Sequence, residues 1–212
     1  MISVEKRFIF VANTKAASTS IEHLLLPHSD IISSGNPQRK HIPMKQVLNK
    51  YPFLFEQPNF QPDSFFRFGV MRHPLDWIKS WYQYRKGNNV ASPLADNIDF
   101  SAFWAQKDWN ILRRNGTRHL QRQKFCSPHD ELLMDVIIPH HRLGEMFGNI
   151  CEELKIKNTL TEKNKSLLKD TETVPDMLKS ELSEFYAKDF ELFEQLDQIN
   201  EVGMNKLRRM GR

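Results

Sequence analysis

The residues best equipped for chemistry in this chain fall in two short segments. In the first, Asn13-Thr14-Lys15-Ala16-Ala17-Ser18-Thr19-Ser20, a lysine and several hydroxyl side chains stand beside two alanines. The lysine offers a mobile positive charge, the hydroxyls donate hydrogen bonds, and the small side chains let backbone N–H groups come close to an anion. In the second, Arg72-His73-Pro74-Leu75-Asp76-Trp77-Ile78-Lys79-Ser80-Trp81-Tyr82, an arginine able to grip phosphate through two parallel hydrogen bonds precedes a serine hydroxyl. Each set suits a phosphorylated ligand. Neither is a Walker loop, because G-x-x-x-x-G-K-[ST] is absent.

Both segments follow runs that read as buried strands. Phe8-Ile9-Phe10-Val11-Ala12 is short, apolar and β-prone, and Phe65 to Met71 is similar. The small-residue stretch Ala16-Ala17-Ser18 leads into the helix-prone run Thr19 to Leu26, with the hydroxyls of Thr19 and Ser20 where an N-cap would lie, so the first segment reads as strand, loop, helix. Pro74 opens a second helix running to about Tyr84, with Arg72 at the strand's carboxyl end and Ser80 about two turns into the helix. Asp30 to Ser34 is expected to add a strand, Pro43 to Asn49 a short helix, and Pro52 to Pro62 a loop. Helical segments are expected near Phe100 to Trp109, a strand at Met134 to Ile138, and an amphipathic helix at Leu143 to Leu154. The tail from Pro175 to about Arg209 reads as helical, with Phe185, Tyr186, Phe190, Leu192, Phe193 and Leu196 forming its apolar stripe. Alternating strands and helices predict an α/β layer structure with a mainly parallel sheet.

Taken together, the two segments resemble the cofactor loops of sulfotransferases that use 3′-phosphoadenosine-5′-phosphosulfate (PAPS), particularly the carbohydrate and bacterial branch. Thr14-Lys15-Ala16-Ala17-Ser18-Thr19-Ser20 is similar to that family's 5′-phosphosulfate loop, P-K-x-A/G-G-T-S, with Thr14 replacing the proline and Ser18 the glycine. Arg72, Pro74, Ser80 and Tyr82 match its 3′-phosphate motif, R-x-P-x-x-R-x-x-S-x-Y, with Trp77 replacing the second arginine. Arg118 to Gln123 looks like the family's H-x-x-x-Q segment, Asn164-Lys165-Ser166 like its N-x-S loop, and Tyr186 to Phe193 like its Y-x-x-D-F-x-x-F helix. The resemblance implies a P-loop-like three-layer α/β fold, a central mainly parallel sheet flanked by helices with a helical C-terminal segment, as a single domain over 1–212. It implies sulfuryl transfer from PAPS to a hydroxyl acceptor, small-molecule or carbohydrate, without a metal. Lys15 would stabilise charge on the leaving bridging oxygen. Thr14, Lys15, Ala16, Ala17, Ser18, Thr19 and Ser20 would hold the 5′-phosphosulfate, and Arg72 and Ser80 the 3′-phosphate, with Lys165 on the N-x-S loop also binding cofactor. A nucleotide-binding phosphotransferase and a non-catalytic interaction protein on the same scaffold are the alternative readings.

A hydroxyl acceptor needs a general base, and histidine suits near neutral pH. His41, in Arg39-Lys40-His41-Ile42-Pro43 between the two loops, is the first choice; Glu22 and His23 are the second, and His73 is expected to support its loop. His140-His141 is not expected to hold a metal, since neighbours on a regular strand face opposite sides and no cysteine or carboxylate spacing completes a site. The basic stretch Arg113 to Arg122 reads as a solvated helix face or a groove for an acidic substrate. No RNA-module signature accompanies it, so nucleic acid is not an expected partner.

A chain of 212 residues, 40% hydrophobic, with 15 Phe against 8 Gly, builds a real core and is not low-complexity. The net charge of +4 fits a phosphorylated ligand and is too small to argue for nucleic acid. The apolar run after Arg7 lacks the length and cleavage site of a secretory signal, no stretch is long enough to span a bilayer, and Cys126 and Cys151 have no framework spacing. A cytoplasmic location is the expectation.

Overall fold

The computed structural model describes residues 1–33, 35–87, 90, 92–158 and 174–211. Its sheet has the strand order β1 (Ile2–Ser3), β2 (Phe8–Val11), β3 (Phe66–Met71) and β4 (Val136–Pro139). β2, β3 and β4 are parallel, and β1 pairs antiparallel with β2 at the edge. The helices are α1 (Ser18–Leu25), α2 (Pro37–Lys40), α3 (Met44–Lys50), α4 (Pro52–Phe55), α5 (Pro74–Gly87), α6 (Phe100–Gln106), α7 (Leu143–Glu153), α8 (Asp176–Phe185), α9 (Ala187–Glu194) and α10 (Leu196–Met210). None of them is long and apolar enough to cross a membrane.

Alternation along the strands divides the core in two. Phe8, Phe10, Phe66, Phe68, Val136 and Ile138 face α1, α7 and α10, through residues such as Ile21, Leu25, Phe147, Ile150 and Leu207. Ile9, Val11, Met71 and Ile137 face the opposite layer, where Val47, Leu54, Phe125, Leu192 and Leu196 pack. Helices therefore cover both faces, which is why these strands read as continuous apolar runs. A separate aromatic cluster joins α5, α6 and α8 through Trp77, Trp81, Tyr82, Phe103, Trp104 and Leu182, with Tyr186 between α8 and α9. Close approach needs glycine twice. A Cβ on Gly69 would lie 2.8 Å from the Phe125 ring, and one on Gly203 only 1.9 Å from the Asp135 carbonyl oxygen, where α10 crosses β4.

Several expected elements take other forms. Asp30 to Ser33 form no strand. β1 occupies the edge, and Ile31 meets it through a single bridge to Ile2 before the chain turns away; Ser34 lies outside the described residues. The expected loop after Pro52 contains the one-turn helix α4, opened by that proline. The Pro74 helix runs on to Gly87, three residues past Tyr84, because Arg85 is buried against Asp108, Asn110 and the Ser92 carbonyl. The C-terminal tail forms three helices, bending at Tyr186 and Gln195.

Candidate functional site

β2 and β3 are parallel neighbours in register, with Val11 opposite Gly69, so their carboxyl ends emerge side by side. Asn13-Thr14-Lys15 and Arg72 follow directly, at the sheet edge where open α/β proteins bind ligands. The sheet thus brings together the two segments singled out in the sequence.

The first loop is held in an uncommon backbone shape. Lys15 and Ala17 both lie in the left-handed region, at φ 59° and φ 57°. Non-glycine residues there cost of order 1–2 kcal/mol each. Turns of this kind aim backbone N–H groups into anion-sized concavities. Ala17, not a hydroxyl residue, is the N-cap of α1, and no side chain caps it. This corrects the expected capping role of the hydroxyls. With Ala17 left-handed, Ser18 begins the helix, and its Oγ donates backwards to the Asn13 carbonyl at 2.5 Å. Thr19 is exposed and accepts from Lys40 Nζ at 3.3 Å, while Ser20 and Ala16 are buried. Thr14 Oγ1 and Asn13 Oδ1 are buried without a hydrogen-bond partner among the described residues.

Lys15 pairs with no carboxylate among the described residues. Its Nζ sits 3.9 Å from the centroid of the Tyr84 ring on α5. Burial, and then the charge of Arg72, push its pKa down to about 8. Arg72 donates from Nη2 to His140 Nε2 at 3.1 Å. The pKa of that histidine is pushed down to about 4, by burial and then by the Arg72 charge. Ser80 is half-buried, one turn from Trp77 and one turn from Tyr84 on α5. Those two residues contact the first loop, Tyr84 through Lys15 and Trp77 through a hydrogen bond from Nε1 to the Thr14 carbonyl at 2.9 Å. Trp77 thus ties two chain segments together where the resembled motif has an arginine.

His41 lies on the same carboxyl edge. Its Nδ1 is 3.0 Å from the Ala12 carbonyl oxygen, so Nδ1 carries the proton and Nε2 is the acceptor. Burial pushes its pKa down to about 4, against the Ala12 hydrogen bond, and the charges of Lys124 and Lys40 add to the drop. Lys124 Nζ donates to the His41 carbonyl. Glu22 forms an ion pair with Lys40 at 2.5 Å. His73 packs edge-on between the Phe190 and Phe193 rings. Lys165, with the whole Asn164-Lys165-Ser166 loop, lies outside the described residues.

The basic stretch is largely occupied internally. Arg118 donates to the Glu184 and Phe185 carbonyls, Arg122 pairs with Asp130 at 2.6 Å, and Arg113 donates to Gln123 Oε1. Its turn at Gly116 is bridged from Leu112 to Arg118, so it is not a helix face. Among the described residues no group of three or more His, Cys, Asp or Glu side chains could hold a metal ion.

Contacts that sequence reasoning did not foresee also shape the edge. Asn13 Nδ2 donates to Gln121 Oε1 and to the Val70 carbonyl. Asp189 accepts from the Gln121 and Arg122 backbone N–H groups. The H-x-x-x-Q and Y-x-x-D-F segments contain these residues, but their pairing is tertiary. The chain matches no protein-family model, no curated protein and no solved structure.

Proposed function

We propose that the protein is a sulfotransferase on a P-loop-like scaffold, binding PAPS as sulfuryl donor and a hydroxyl compound, small-molecule or carbohydrate, as acceptor. The observation that carries the reading is the nearness of Lys15 and Arg72 at the carboxyl ends of β2 and β3. Two cations from adjacent strand ends lie close enough for one to lower the pKa of the other, and Lys15 has no carboxylate partner among the described residues. A ligand with two anionic ends relieves that repulsion. Thr14 Oγ1, buried with no hydrogen-bond partner among the described residues, and the left-handed turns at Lys15 and Ala17 fit a phosphate-bearing group at the first loop.

PAPS supplies an activated sulfuryl group on a good leaving nucleotide. The chain's own residues then have limited tasks, mainly positioning and charge stabilisation. Lys15, with a pKa near 8, is mostly protonated at neutral pH and can donate to a developing negative charge. The first-loop backbone and Thr14 hold one anionic end, while Arg72 and Ser80 hold the other. His41 stays neutral through physiological pH, with Nε2 available to take the acceptor's hydroxyl proton. Its low pKa makes it a weak base, suited to accepting the proton as the new O–S bond forms rather than before.

Thermal unfolding with 3′-phosphoadenosine-5′-phosphate, AMP and ATP tests the reading. At about 100 times Kd, the first ligand is expected to add about 2.7 kcal/mol, or roughly 5–11 °C for a chain of this size. AMP and ATP at the same concentration should do much less. An equal response to ATP would move the assignment to a phosphotransferase. Binding without transfer of label from PAPS to any acceptor pool would make the chain a non-catalytic relative.

A further inference from the structure

Gln121 has no place in the chemistry above, yet its side chain bonds both to the loop after β2 and to the Arg72 backbone after β3. The residue is fully buried. Its Oε1 accepts from Asn13 Nδ2 at 2.9 Å and from the Arg72 N–H at 3.0 Å, and its Nε2 donates to the Arg72 carbonyl at 2.8 Å. The carboxamide therefore exchanges two hydrogen bonds with the Arg72 backbone, as a neighbouring strand residue would. It does so just beyond the point where β2 and β3 stop pairing. The backbone of Gln121 is itself fixed. Its N–H donates to Asp189 Oδ2 at 2.9 Å, and the next N–H, of Arg122, donates to Oδ1 at 2.8 Å. Asp189 is fully buried on α9, against the short 3₁₀ turn Gln121–Lys124.

We infer that Gln121 is the positioning residue that sets the separation of Lys15 and Arg72, with Asp189 holding it in place from α9. The physical reason lies in its donor and acceptor inventory. A carboxamide can accept from two N–H groups and donate to a carbonyl at once; a carboxylate would set an oxygen against the Arg72 carbonyl, and an apolar side chain would leave buried groups unpaired. The inference deepens the proposed function and rests on it in one respect: spacing matters because the ligand is anchored at both ends.

The test uses the nearly isosteric Gln121→Met in the full chain, with two readouts. The first needs no nucleotide: a pH titration of Lys15 by NMR with ¹³C-labelled lysine. With the loops freed to separate, the Lys15 pKa is expected to rise by about half a unit or more toward the ordinary lysine value. The second is the ratio of affinities for 3′-phosphoadenosine-5′-phosphate and AMP, expected to fall about 10-fold while AMP binding stays within about 2-fold. A merely structural glutamine would lower the melting temperature and move neither. An unchanged Lys15 titration in the folded variant overturns the inference, as does an unchanged affinity ratio where the wild-type chain prefers the bisphosphate. If Lys15 titrates higher and the wild-type chain binds neither nucleotide, the positioning role stands and the sulfotransferase reading falls. Should Gln121→Met not fold, Asp189→Asn keeps the carboxamide and loosens only its backbone. It should raise the Lys15 pKa in the same direction, and an unmoved Lys15 there also overturns the inference.

Discussion

Trp77 donates from its indole Nε1 to the carbonyl of Thr14 across 2.9 Å, joining the helix after β3 to the loop after β2. The indole is fully buried, edge-on to His119 at 5.2 Å and to Tyr186 at 6.1 Å between ring centroids. The motif it resembles has an arginine at this position, and here the position helps build the loop.

Trp77→Phe keeps an aromatic ring in the cluster and removes the donor. It is expected to lower stability by about 1–3 kcal/mol in urea unfolding, because the Thr14 carbonyl loses its partner. Trp77→Arg should cost more, above about 3 kcal/mol, since a guanidinium would be buried in a largely aromatic and aliphatic cluster. A folded Trp77→Arg protein with tighter bisphosphate binding would contradict this account.

Ala17→Gly is expected to stabilise the chain slightly. Relief of the left-handed strain at φ 57° is worth about 1–2 kcal/mol, against about 0.5–1 kcal/mol for the added freedom of glycine when unfolded. Ala17→Val should destabilise, because a β-branched side chain tolerates that region worse than alanine. Equilibrium unfolding of the two variants gives the signs directly.

Stability should fall on acidification from about pH 7 to pH 4. His41, His119 and His140 are each pushed down to about 4 chiefly by burial, whereas unfolded histidine titrates near 6.5. In that window the unfolded chain binds more protons, so their contribution is present above the unfolded pKa and lost as pH falls through the folded one. Asp189 works the other way. Burial raises its pKa to about 6, against the backbone hydrogen bonds from Arg122 and Gln121, so its contribution is present at low pH and lost as pH rises through 6. His119→Phe should therefore flatten the profile between pH 7 and 5, and Asp189→Asn should steepen it. Urea midpoints at several pH values test both signs.

Strands β2 and β3 and the start of α5 were legible in the sequence because each is fixed by local chemistry: unbroken β-prone apolar runs, and a proline at the first helical position. The placement of Lys15 and Arg72 on one edge followed from those elements. The contacts of Asn13, Gln121 and His140 were not legible, because they join residues as far as 108 positions apart and no local pattern marks them. The hydroxyls of Thr19 and Ser20 misled for a related reason. Capping propensity assumes an extended residue before the helix, and the left-handed Ala17 moved both hydroxyls inside it. Asp30 to Ser33 has the composition of a strand, but the two-residue β1 offers it so short an edge that only the Ile2–Ile31 bridge forms.

Lys15→Met separates the demands of function from those of folding. The lysine is partly buried, faces Arg72, and has only the Tyr84 ring as a favourable contact among the described residues. Removing its charge relieves a like-charge repulsion and loses one cation–π contact, so stability should stay within about 0.5 kcal/mol or rise. Transfer of labelled sulfuryl from PAPS should fall by about 10²–10³-fold, the usual cost of losing a donor at a developing negative charge. Lys15→Arg should recover little of it, because the planar guanidinium cannot place a single compact charge over Tyr84 in the same turn. A Lys15→Met protein that transfers sulfuryl at the wild-type rate would remove the lysine, and with it the proposed mechanism, from the reaction.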